Sequence, residues 1–171
     1  MTNPPANPLV SALAEGRADG FAALYDRLGA SLLRVARVML HSWGEAEDAV
    51  QDVFVELVRR REQLARVRDL DAYVFVMLRH MVGRRIERQR TEQRHLRQMT
   101  PVGPQSPVAS LPDDLDEALK SLPAEQREVI ALKIDGGLTF AQIGVVLNVS
   151  PNTAASRYRY ALEKLRRVLE G

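Results

Sequence analysis

The sequence predicts an all-α protein of two small helical domains joined by a flexible linker, the second domain ending in a helix-turn-helix. Three observations carry this. Ala, Leu, Arg, Glu and Val dominate while aromatic residues make up only 5% of the chain, a composition of good helix formers. Apolar residues recur at steps of three and four, the period of a helix with one buried face. Between Thr100 and Pro112 that period stops, and Pro101, Pro104, Pro107 and Pro112 with Gly103 make a semi-extended linker. The expected division is residues 1–99, a linker at 100–112, and a C-terminal domain at 113–171.

Met1 to Ala6 is rich in Pro and Asn and is expected to be loose. Asn7-Pro8 suits a cap and first turn for a short helix carrying Leu9, Val10 and Leu13, ended by Gly16. A second helix follows Asp19, with Phe21, Leu24, Tyr25, Leu28, Leu32, Val35, Ala36 and Met39 on one side. His41-Ser42-Trp43-Gly44 is a break. The third helix is expected from Glu45 to Leu64, burying Ala46, Ala49, Val50, Val53, Phe54, Leu57 and Val58. Its acids lie in the first half and Arg59, Arg60 and Arg61 in the second, as the helix dipole prefers. Dipole matching accounts for those charges without any function. Gln51 and Val55 among the acids make a mixed patch better suited to a protein partner.

A fourth helix starts near Asp69 or Asp71 and buries Leu70, Tyr73, Val74, Met77, Leu78, Met81, Val82 and Ile86. It then turns basic: Arg79 to Arg97 holds seven Arg against Glu87 and Glu92, with Gly83 a weak point. Such a strip is either a solvated helix end or a phosphate-contacting surface. After the linker come an acidic helix, Asp113 to Ser121, and a second that Pro123 starts and Gly136-Gly137 ends.

The last two helices form the helix-turn-helix. Thr139 with Gln142 three residues on is a Gln version of the capping box, and Asn148 suits the left-handed residue that ends a helix. Gly144 at mid-helix costs about 1 kcal/mol against Ala unless close packing requires it, and close approach of the final helix is the expected reason. Ser150 caps the final helix and Pro151 opens it. Ala154, Tyr158, Ala161, Leu162, Leu165, Val168 and Leu169 give its apolar face, and Asn152, Ala155, Ser156, Arg159, Tyr160, Glu163 and Arg167 lie opposite. From Ser150 to Leu169 there are five Arg or Lys against one Glu, a slender basic surface that suits a DNA major groove. An ordinary αα-hairpin with solvated charges is the plainer reading; the small residue, Asn turn and Ser-Pro start together favour DNA binding over it.

Other classes are excluded by what the chain contains. It has 171 residues, 46% hydrophobic and 27% charged, with net charge +2, so a packed core is within reach and charge matters through local patches. No apolar run approaches the ~18–20 residues of a membrane span. The N-terminus lacks the basic-then-apolar pattern of a secretory signal, and the absence of Cys permits a reducing compartment, so a cytoplasmic location is expected. His41, His80 and His95 have no metal-like spacing, and there is no Gly-rich phosphate loop or nucleophile elbow. No enzyme activity, metal or cofactor is expected.

The order of parts resembles a bacterial sigma factor of the sigma-70 type, in its extracytoplasmic-function (ECF) group, from about Leu9 to Leu169. AEDAVQDVFVEL resembles that family's polymerase-binding helix, and residues 115–166 resemble its domain for the −35 promoter element. The resemblance implies binding to core RNA polymerase and promoter DNA, with an anti-sigma factor as regulator and no membrane insertion. It implies polymerase docking through Asp48, Gln51, Asp52 and Glu56, and −35 contacts through Asn152, Ala155, Ser156, Arg157, Arg159 and Tyr160. For the −10 element it implies Tyr73, His80, Arg84, Arg85 and Arg88. Within that helix Tyr73-Val74 replaces the family's usual Trp-Leu, His80 stands at an Asn, and Arg84 stands at an Asp. Those replacements leave open a sigma-like regulator that binds DNA or polymerase without opening promoters.

Overall fold

The computed structural model describes residues 7–97 and 113–171, and among them all regular structure is helical. The helices are α1 (Pro8–Ala14), α2 (Ala18–Leu40), α3 (Trp43–Arg59), α4 (Arg61–Leu64), α5 (Leu70–Arg97), α6 (Asp113–Ser121), α7 (Ala124–Ile134), α8 (Phe140–Leu147) and α9 (Pro151–Glu170). The expected loose start, Met1 to Ala6, and the expected linker, residues 100–112, lie outside the described residues.

Local chemistry sets the ends. Asn7 Oδ1 accepts from Leu9 N–H at 3.1 Å to start α1, and Gly16 (φ 73°) ends the turn after it. Ser42 Oγ accepts from Glu45 N–H, so α3 opens two residues earlier than expected, at Trp43. Of the two starts expected for the fourth helix, Asp69 supplies the cap, accepting from Ala72 N–H at 3.0 Å. The helix then runs through Gly83 without a break.

The expected continuous helix from Glu45 to Leu64 is divided. Arg60 leaves helical geometry (φ −100°, ψ 15°), and its N–H donates to both Glu56 and Val58 carbonyls. The kink turns the single turn of α4 against α1, and Leu64 is completely buried there.

In the N-terminal half α2, α3 and α5 pack on one another around Leu24, Leu32, Val53, Leu57, Phe75 and Leu78, all at 0–1% exposure. In the C-terminal half α7 and α8 both pack on α9. The turn between α8 and α9 has the expected design. Thr139 and Gln142 exchange both capping-box bonds, Asn148 is left-handed (φ 54°), and Ser150 caps α9. Gly144 is buried where the chain doubles back: a Cβ there would stand 2.8 Å from the Val149 carbonyl oxygen and 3.3 Å from Pro151 N. The close approach comes from the turn itself.

The two halves are in contact. α7 lies on α2 and α8 lies on α5. Beside the apolar contact sits a polar cluster. Buried Arg37 and Asp116 are 3.4 Å apart, and Lys120 reaches the other Asp116 oxygen at 2.5 Å. Arg127 donates to His41 Nε2 at 2.6 Å and to the Leu122 carbonyl at 3.1 Å. Because a guanidinium only donates, His41 Nε2 must be the acceptor and the ring neutral. Burial, and then the Arg127 charge, push His41 down to about 4. Burial works against the Asp116 carboxylate, but Lys120 and Arg37 outweigh it and hold its pKa below the usual range. Arg79–Glu128 at 2.6 Å, Arg34–Asp135 at 3.5 Å and Gln142–Asp69 at 3.1 Å complete the contact.

Two outcomes follow for stability. Gly144→Ala, which in an open helix gains about 1 kcal/mol, is expected to lose about 1–3 kcal/mol here through overpacking, read from urea unfolding. His41 takes up a proton near pH 6.5 when unfolded and only near 4 when folded, so stability should fall as pH drops through that window. His41→Asn, which tolerates the left-handed backbone of that position (φ 55°), should flatten the fall in melting temperature between pH 7 and pH 4.5.

Candidate nucleic-acid and protein interfaces

The residues of α9 separate by helical period. Ala154, Ala161 and Leu165 are buried, while Asn152, Arg159 and Tyr160 are exposed and Ala155 and Ser156 are half-covered. Asn152, Ser156, Arg159 and Glu163 follow one another at steps of three and four, which aligns them on the side away from the core. Tyr160 is 56% exposed, and the Arg159 guanidinium lies 5.8 Å from its ring centre. Tyr158 turns inward, edge-on to Phe140 at 5.6 Å, and fixes α8 to α9. Arg157 points toward α7, where it pairs with Glu125 at 3.2 Å. That pair is largely solvated on the acid's side, so it is worth at most about 1 kcal/mol and can be exchanged for a phosphate. The result is a rod with a neutral amide, a hydroxyl and a cation facing outward in sequence, which is chemistry that contacts base edges.

On α5, Tyr73, His80 and Arg84 share one face at spacings of seven and four, with His80 and Arg84 exposed and Tyr73 half-buried. Gln142 of α8 bonds to Asp69 just ahead of Tyr73. Arg85 is not on that face. It turns toward α3, its side chain only 11% exposed, 2.7 Å from Asp52 and 3.3 Å from Glu45. Arg88 also meets Glu45, at 3.4 Å, and Glu92 at 3.7 Å. The basic strip is therefore split into open cations at Arg84 and Arg90 and restrained ones at Arg85 and Arg88.

On α3, Asp48, Gln51, Asp52 and Val55 form one exposed face, with Val55 50% exposed. Glu56 departs from it: its carboxylate is engaged by Arg60 and lies 3.9 Å from Arg59. Glu45, which no sequence signal singled out beyond its acidity, is the residue that ties Arg85 and Arg88 to α3. The Arg37–Asp116–His41–Arg127 cluster was equally hidden. Asp116 only borders the apolar stripe of its helix, and apart from Lys120 its partners, Arg37 and His41, are dozens of positions away in sequence.

Among the described residues no group of three His, Asp or Glu side chains is arranged to hold a metal ion. No helix among them is long and apolar enough to cross a membrane.

Comparison with known proteins places the same segments. Residues 24–92 match the family model described as sigma-70 region 2, and residues 113–165 match sigma-70, region 4. Over 94% of this chain and 95% of its own length, the protein named ECF RNA polymerase sigma factor SigL of Mycobacterium tuberculosis is 31% identical. The protein named ECF RNA polymerase sigma factor SigK of Mycobacterium ulcerans is 26% identical over 99% of both. In structure, CnrH from its complex with the cytosolic domain of CnrY aligns with TM-score 0.70 over 95% of both chains at 22% identity. The sigma factor RpoE of Bartonella quintana, solved with the anti-sigma factor NepR, aligns with TM-score 0.69 over 86% of this chain and 97% of its own, also at 22% identity.

Proposed function

The chain belongs to the sigma-70 family, in its ECF group, and is a promoter-directing sigma factor; we propose that it divides the work among three helices. α3 docks on core RNA polymerase through Asp48, Gln51 and Asp52, α5 grips the −10 region through Arg84, Arg88 and the His80 and Tyr73 face, and α9 reads the −35 element. Glu56, engaged by Arg60, contributes through the shape of the α3–α4 corner. The observation that carries this is the outward file of Asn152, Ser156 and Arg159 on α9, beside an exposed Tyr160. Acids and an amide on α3 suit a basic protein surface and steer the encounter with it.

The closed packing sets a condition on this function. The −10 and −35 elements are about 25 base pairs apart, or ~85 Å at 3.4 Å per pair, whereas a compact chain of this length is only ~40 Å across. We infer that α7 leaves α2 and α8 leaves α5 when both elements are bound. The domain division that serves this is residues 1–99 and 113–171, tethered by 100–112. An anti-sigma factor is the regulator in this reading. The protein works in the cytoplasm, where polymerase and promoters are.

Promoter selection from random DNA with purified core polymerase tests the assignment. Run-off transcription from a selected promoter is expected. Arg159→Ala should lose about 1–3 kcal/mol on that promoter and relax the preference at one base pair. An equal loss on all sequences would remove Arg159 from base reading, and absence of any run-off product would leave only binding.

A further inference from the structure

We propose that Asp52 serves two partners in turn: it holds Arg85 in the free protein, and on docking to a basic polymerase surface it releases Arg85 to a promoter phosphate. The proposal rests on the reading of α3 as the docking helix. Its geometry is independent of that reading. Arg85 and Arg88 on α5 face Glu45 and Asp52 on α3, two cations against two carboxylates. Asp52 makes the shortest of these pairs, 2.7 Å, yet its side chain is 50% exposed and lies on the same face as Asp48 and Gln51. An incoming cation therefore has access to it. Arg85 is the opposite case: its side chain is 11% exposed, and its Nε is buried without a hydrogen bond.

A guanidinium in that position is costly to leave uncompensated. While Asp52 holds it, Arg85 adds nothing to DNA binding, although it sits next to the exposed Arg84. Once Asp52 is drawn to the polymerase, Arg85 is left with Glu45, which it shares with Arg88, whereas Arg88 keeps Glu92 as well. The nearest replacement anion along α5 is then a DNA phosphate, a charge-assisted partner with matching fork geometry. The same linkage works in reverse: a phosphate on Arg85 frees Asp52 and favours polymerase docking by the same factor. The coupling asks only that the Arg85 side chain turn from Asp52 to the phosphate, with the two helices left in place.

The test uses the full chain without polymerase, binding a labelled DNA duplex over a series of salt concentrations. Asp52→Asn should bind about three- to tenfold more tightly than the wild type, with a salt slope steeper by about one counterion. Glu47→Gln removes the same charge from the same helix at an exposed residue away from the cluster, and should change affinity less than about twofold. In an Arg85→Ala background the Asp52→Asn gain should vanish. A gain no larger than that of Glu47→Gln, or one that survives Arg85→Ala, overturns the restraint. Capture by core polymerase is measured separately. Full capture of Asp52→Asn overturns the release step even if DNA binding rises. Lost capture with no DNA gain overturns the restraint and leaves the docking reading standing.

Discussion

Val129, Ile130, Ala131 and Leu132 are four consecutive buried residues, because α7 has α9 on one side and α2 on the other. A helix buried all round must be covered from both sides. Half of that cover is the C-terminal bundle's own, and half is lent by α2 in the N-terminal half. The contact that joins the halves is therefore also what completes the core of the smaller one. A bundle of about 60 residues is marginal by itself, so this borrowed cover matters.

The same contact is built to be given up. Its centre is apolar, around Val35, Met39, Phe75 and Leu132, but its edge holds Arg37, Lys120 and Arg127 around the single carboxylate of Asp116. Three cations against one anion, with His41 kept neutral between them, gives modest net stabilisation for a large buried polar cost. Arg79–Glu128 and Arg34–Asp135 add pairs in which an exposed arginine meets a half-buried acid, a solvated arrangement of modest value. A contact of this composition separates more easily than a wholly apolar one. That is what a protein must do when its two DNA-facing helices serve elements farther apart than its own diameter.

Much of this was legible in the residues. The capping box at Thr139, the left-handed Asn148 and the Ser150-Pro151 start are local chemistry, and each appears where the sequence puts it. The outward file of α9 follows from period alone, but of its expected apolar face Leu162, Val168 and Leu169 remain exposed. The break at Arg60 was not legible, because a run of charged residues continues a helix as readily as it ends one. The kink is decided by the burial of Leu64 against α1, a tertiary gain. The pairing of Arg85 was hidden for a similar reason. In sequence it is one of seven arginines on a basic helix, and only the packing of α3 on α5 shows that it faces Asp52 and Glu45 instead of solvent. The His41 cluster unites residues from three helices, so no local pattern announced it.

The chain has no cysteine, so two introduced ones can be labelled without competitors. Dyes at Ala23→Cys on α2 and Arg167→Cys on α9, both exposed positions, report the separation of the two halves by energy transfer. A separation within the ~40 Å of a compact chain is expected for the free protein, rising toward the ~85 Å of a promoter when core polymerase and DNA are added. A distance that stays short on an actively transcribed promoter would contradict the opening on which this account depends.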